Sequence, residues 1–117
     1  MKKGKLLKSF QYAFLGIAFC LRSERNMQIH AAATVLVLLM GTYVRVTKME
    51  WLVLLLTIGG VWSLEMVNTA LEKTVDLIIA ERHPFAKIAK DAAAGAVLVF
   101  SCIAVVIGLV IFIPYLW

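Results

Sequence analysis

Three long apolar runs alternate with short charged stretches along this chain of 117 residues. Residues 31–44, 51–64 and 92–117 contain no charged side chain. At about 1.5 Å per residue the last run covers about 39 Å as a helix, enough to cross a hydrocarbon core about 30 Å thick. The first covers only about 21 Å, so the span is placed at about 29–47, with Arg45 snorkelling to the interface. Val46-Thr47-Lys48-Met49-Glu50 is a tight connection, and the second span, at about 50–71, runs back antiparallel to the first. The third is placed at about 92–117, after Pro84 breaks or restarts the helix, and Tyr115 and Trp117 anchor its far end. Gly59-Gly60 and the small residues at 92–96 suit close helix packing.

Ahead of the spans, residues 4–22 wind into an amphipathic helix. Leu6, Phe10, Ala13, Phe14, Ile17 and Leu21 share one face, and Lys5, Lys8, Gln11 and Tyr12 lie opposite. With Lys2 and Lys3 at its start and no small-x-small cleavage site after it, the segment reads as an interfacial helix rather than a signal peptide. Leu15 and Phe19 fall on the polar side, so part of that side packs against protein.

Composition agrees: 62% of residues are hydrophobic and 16% charged, with a mean hydropathy of +0.91, values of a membrane protein with one domain, 1–117. The net charge of +5 is carried outside the apolar runs and is not interleaved with aromatics, which suits an anionic membrane surface and argues against a nucleic-acid partner. Lys and Arg concentrate in residues 1–25 and 73–90, placing the N-terminus and the 73–90 loop in the cytoplasm and the C-terminus outside. Cys20 and Cys102 match no metal-ligand spacing and read as apolar filler.

Carboxylates at the end of an apolar run are the chemical signal. At 100° per residue, Asn68, Glu72 and Asp76 lie within about 60° of Glu65 around a helix, so the four share one face. Glu65 lies about 21 Å along the helix from Trp51, inside the membrane, and Glu72 about 10 Å further on, near the far surface. A carboxylate at that depth costs about 3 kcal/mol and points to function. The bland alternative, a buried carboxylate satisfied by a Ser, Thr or Lys on a neighbouring helix, leaves the rest of the stripe unexplained. Glu72 and Glu24, at one level, resemble ligands for a hard divalent cation such as Mg²⁺. Glu65 is placed as general base for a hydroxyl held in the membrane. Arg82, Lys87 and Lys90, with Lys5 and Lys8, are placed to surround phosphates. No Gly-rich phosphate loop is present, and His30 and His83 are lone, without a zinc pattern. These residues point to metal-assisted phosphoryl transfer to a lipid. The rival reading, a small proton-coupled transporter, uses four spans and one isolated carboxylate. Three spans cannot enclose a polar site alone, so several copies of the chain are expected to build it.

The motifs also resemble a known family. Ser23-Glu24-Arg25-Asn26 leads to His30-Ala31-Ala32-Ala33. Leu64-Glu65-Met66-Val67-Asn68-Thr69-Ala70-Leu71-Glu72 is followed by Thr74-Val75-Asp76. His83-Pro84 then precedes Ala86-Lys87-Ile88-Ala89-Lys90-Asp91-Ala92-Ala93-Ala94-Gly95-Ala96-Val97. Together they resemble the small integral-membrane prokaryotic diacylglycerol kinases, over nearly the whole chain from Lys5. The E-x-x-N-[ST]-A-x-E-x-x-x-D pattern is highly specific, and the first and last stretches look like the Gram-positive branch, whose members phosphorylate undecaprenol. The resemblance implies an all-α, ATP- and Mg²⁺-dependent lipid kinase of the bacterial plasma membrane, a homotrimer with three spans and a surface helix per chain. It implies Glu65 as proton acceptor, Glu24 and Glu72 as holders of metal and ATP, and Asn68 beside the lipid hydroxyl. Glu81, Arg82 and His83 would form the ATP loop, Lys90 and Asp91 would complete the nucleotide site, and Lys5 and Tyr12 would reach it from the surface helix. Diacylglycerol is the alternative lipid.

Overall fold

The structure, a computed structural model, describes residues 3–79 and 81–117; Lys2 of the basic N-terminus and Ala80 of the last loop lie outside them. Four helices follow one another: α1 (Lys3–Ser23), α2 (Arg25–Val44), α3 (Lys48–Ile78) and α4 (Pro84–Leu116). α2, α3 and α4 are long and apolar enough to cross a membrane.

The helix ends do not coincide with the ends of the spans read in the sequence, each for a local reason. α2 gains its length before His30 rather than after Val44. Glu24 alone is extended, at φ −104° and ψ 118°, and the corner is closed by the side chain of Gln28, whose Nε2 donates to the carbonyls of Leu21 at 3.1 Å and Arg22 at 3.2 Å. Those carbonyls end α1 without helical partners, so Gln28 satisfies what the chain reversal leaves open. At the other end Arg45 takes up the left-handed conformation, φ 58°. It terminates the helix and does not extend it to residue 47. The Val46 N–H then donates back to the Gly41 carbonyl at 3.1 Å, the closure typical of a helix C-terminus, and Val46 is buried.

α3 starts two residues before the expected residue 50 because Thr47 caps it. The Thr47 Oγ1 accepts from the Glu50 N–H at 3.2 Å, while the Thr47 N–H donates to Glu50 Oε1 at 2.9 Å, a reciprocal box that satisfies two donors. α3 continues to Ile78 rather than stopping near residue 71, and α4 begins at Pro84 rather than residue 92. With 31 and 33 residues these helices run about 46 and 50 Å, well beyond the about 30 Å of a hydrocarbon core. Pro84 restarts the chain as the first helical residue, where its missing N–H costs nothing, and the His83 Nδ1 accepts from the Phe85 N–H at 3.1 Å.

α3 and α4 form the most extensive helix pair. Their close approach uses Gly60, where a Cβ would stand 2.2 Å from the Phe100 ring, whereas a Cβ on Gly59 would meet open space. A core cluster of Val46, Leu54, Ile111 and Phe112 lies at one end of the bundle. Trp51 packs against it and across Gly41, where a Cβ would come within 2.7 Å of the indole. At that end the Tyr115 hydroxyl donates to Glu50, tying α4 to the start of α3. The apolar core is thus gathered at the 46–54 end, leaving the polar residues of α3 toward the other.

Candidate active site

The stripe on α3 is graded in burial. Glu65 and Asn68 are 2% and 6% exposed, with Thr69 beside them at 3%, whereas Glu72 is half-buried and Asp76 exposed. The Asn68 Nδ2 donates to Glu72 Oε1 at 3.3 Å, which links the buried half of the stripe to the accessible half. Glu65 Oε2, Asn68 Oδ1, Thr69 Oγ1 and Ser101 Oγ are buried without a hydrogen-bond partner. Each such group costs about 1–3 kcal/mol unless something pairs with it, so a water or a ligand's polar atoms would find partners here.

Three of them surround one cavity of about 320 Å³, bordered by Asn26 and His30 of α2, Glu65 and Asn68 of α3, and Ser101 of α4. The nearest ionisable partner of Glu65 is His30, its Nε2 3.7 Å from Glu65 Oε2. Ile29, His30 and Ser101 also border a second, almost entirely apolar groove of about 600 Å³, which runs between α2, α3 and α4 as far as Phe112 and Leu116. A pocket with several polar side chains that shares lining residues with a long apolar groove suits a molecule with a hydrophilic end and a hydrocarbon chain.

A third cavity, about 790 Å³, lies where α3 ends and α4 begins, lined by Asp76, Glu81, Arg82, His83, Lys87, Lys90 and Asp91 among others. Glu81, Arg82, His83, Lys90 and Asp91 therefore line one cavity. Their charges are partly committed: Lys90 pairs with Asp76 across the two helices, and Lys87 with Asp91 at 2.6 Å. These pairs are solvent-exposed and worth little, so an incoming phosphate can displace them. Arg82 has no acidic partner among the described residues.

Lys5 and Tyr12 are not brought to this cavity. They lie exposed on the first half of α1, whereas α1 meets α3 through its second half, where the Lys73 ammonium stands 5.8 Å over the Phe19 ring and Cys20 packs by Thr69. Burial, with the Glu24 carboxylate nearby, pushes the Cys20 thiol pKa up, in keeping with a packing role.

The metal expectation can be set against the donor set. No group of three or more His, Cys, Asp and Glu side chains able to hold an ion occurs among the described residues. Glu24 and Glu72 are half-buried and paired with no Lys or Arg there. Carboxylate oxygens are the donor type that magnesium takes, one or two of them with water and phosphate oxygens completing the octahedron.

Sequence reasoning places Asn26, His30 and Thr69 in motifs without a role at the site, and misses Ser101. A signal for two of them is present, since Asn26, His30 and Thr34 recur every four residues and write a polar stripe on α2. Ser101 stands alone in an apolar run and carries no such signal.

The prokaryotic diacylglycerol kinase family model matches residues 11–112. The undecaprenol kinase of Bacillus subtilis (strain 168) is 54% identical over 112 residues, 96% of this chain and 91% of that protein. A diacylglycerol kinase of Synechocystis sp. is 41% identical over 110 residues, 93% of this chain and 63% of that longer protein. The diacylglycerol kinase of Escherichia coli (strain K12) is 26% identical over 102 residues, 87% of this chain and 84% of that protein. With the family model covering most of the chain, its three apolar helices and its carboxylate stripe, this protein belongs to the prokaryotic diacylglycerol kinase family.

Proposed function

We propose that this chain transfers the γ-phosphoryl group of ATP to the hydroxyl of a membrane lipid alcohol, undecaprenol in the first place, yielding undecaprenyl phosphate. The observation that carries the reading is the buried carboxylate oxygen of Glu65, unpartnered among the described residues, in a cavity that shares lining residues with an apolar groove. The choice of lipid is supported by the 54% identity to an undecaprenol kinase. Diacylglycerol is the second reading, supported by the 41% identity to a diacylglycerol kinase. Family membership displaces the transporter alternative.

Glu65 is the general base. It takes the hydroxyl proton as the lipid oxygen bonds to the γ-phosphorus and the bond to the ADP leaving oxygen breaks. Asn68 holds Glu72 and faces the lipid hydroxyl. Glu24 and Glu72 would hold Mg²⁺ with ATP, which would supply neutralisation of the charge on the phosphate oxygens. Glu81, Arg82, His83, Lys90 and Asp91 bind the nucleotide. Lys5 and Tyr12 contribute only if α1 of another copy brings them to the site. The chain works as a single domain in a homotrimer, with α1 as an amphipathic surface helix on the cytoplasmic face of the bacterial plasma membrane and the 73–90 loop on the same side. The lysine-rich start of the chain and the charge asymmetry between its loops support that orientation.

The test is an assay of the purified protein in lipid nanodiscs with γ-labelled ATP, Mg²⁺ and either undecaprenol or diacylglycerol. Label in undecaprenyl phosphate, and less in phosphatidic acid, is the expected result. Preference for diacylglycerol selects the second reading, and label in neither lipid defeats both.

A further inference from the structure

Resting on that lipid-kinase reading, we propose that His30 binds the acceptor hydroxyl jointly with Glu65: the imidazole Nε2–H donates to the hydroxyl oxygen while Glu65 Oε2 accepts the hydroxyl proton. The two atoms stand 3.7 Å apart, too far for a direct hydrogen bond. An oxygen about 2.8 Å from each fits between them, subtending an angle of about 80°, within reach of a hydroxyl that donates to one neighbour and accepts from the other. Glu65 Oε2 is buried and without a partner, and such an atom needs a donor. An alcohol hydroxyl supplies that donor and accepts from the imidazole at the same time.

Placement supports the same assignment. His30 borders both the polar cavity and the apolar groove, so it stands where a lipid alcohol changes from hydrocarbon to hydroxyl. His30 and Glu65 are the only ionisable residues lining that cavity among the described residues. The turn of α2 that carries His30 is also fixed to α3. The Thr34 Oγ1 donates to the His30 carbonyl at 2.7 Å and accepts from the Trp62 Nε1–H at 2.9 Å. Trp62 lies less than one turn before Glu65 on α3, so this pair of bonds sets the spacing of the imidazole from the carboxylate. During transfer the proton moves from the hydroxyl to Glu65, the lipid oxygen bonds to the γ-phosphorus, and the leaving oxygen departs with ADP. His30 keeps its proton throughout.

The experiment compares His30→Leu, His30→Gln and His30→Asn with the unaltered protein, all in nanodiscs, varying lipid alcohol and Mg-ATP separately. Glutamine sets its amide nitrogen near the place of Nε2, asparagine nearer that of Nδ1. His30→Leu is expected to lower kcat/KM for the lipid about 100-fold with KM for Mg-ATP changed less than about twofold. His30→Gln should recover at least about tenfold of that loss, and His30→Asn less. An unchanged lipid kcat/KM in His30→Leu overturns the proposal, as does an equal rise in both Michaelis constants. Should His30→Leu not fold, His30→Asn matching or exceeding His30→Gln overturns it instead. Failure of the unaltered protein to phosphorylate any lipid would count against the kinase reading, a result separate from these.

Discussion

Asn68 donates to Glu72 Oε1 across one turn of α3, at 3.3 Å, while its own Oδ1 stays buried and unpaired. One amide thus touches both halves of the site. Asn68→Leu removes the donor that orients Glu72, and loss of a hydrogen bond to a charged group is worth about 1.4 kcal/mol or a factor of about ten. KM for Mg-ATP should rise about tenfold in steady-state kinetics, and an unchanged value means that Glu72 is oriented by something else.

Glu65→Gln should lower kcat by about 10²–10⁴-fold while the Kd for Mg-ATP stays within about twofold. The amide keeps the volume and loses the base. Calorimetry with a non-hydrolysable nucleotide separates the two quantities, and an equal loss of affinity and rate would contradict the assignment.

Glu24→Ala and Glu72→Ala should each weaken Mg-ATP binding, because each removes an anionic oxygen from the ion's surroundings. Raised Mg²⁺ should restore part of the activity. Unchanged nucleotide affinity with no rescue at any Mg²⁺ concentration would remove both residues from the metal site.

A site completed by neighbouring copies makes a further prediction, since Lys5 and Tyr12 do not reach the cavity at the α3–α4 corner within one chain. Glu65→Gln chains mixed with chains altered at both Lys90 and Asp91, after dissociation and reassembly, should regain activity above either parent. Activity at the parents' level, with subunit exchange demonstrated, would place all of these residues in one chain.

Gly60→Ala tests the α3–α4 packing apart from catalysis. The new methyl would stand 2.2 Å from the Phe100 ring, an overpacking expected to cost about 1–3 kcal/mol. Unfolding in mixed detergent should show the loss, and Phe100→Leu in the same chain should recover part of it. Full stability of Gly60→Ala alone would mean that the helices do not meet there.

Much of the fold is legible in the residues because hydrophobic length and carboxylate spacing are local properties of a helix. The three apolar runs announce α2, α3 and α4, and the face shared by Glu65, Asn68, Glu72 and Asp76 follows from 100° per residue. Helix ends are less legible, for they depend on single contacts. Gln28 closing the α1–α2 corner, Arg45 at positive φ and the Thr47–Glu50 box decide where helices stop and start, and a moving average of hydropathy registers none of them.

By itself, then, the sequence determines that a carboxylate lies on one face of a long apolar helix with an amide and two further acids, because covalent spacing on one helix needs no partner. Only the tertiary structure decides which residues of other helices face that stripe. His30 on α2 and Ser101 on α4 join Glu65 and Asn68 around one cavity because Trp62 bonds to Thr34 and Phe100 seats on Gly60. Those contacts set the rotation and height of three helices against one another, a relation that no spacing within a single helix contains.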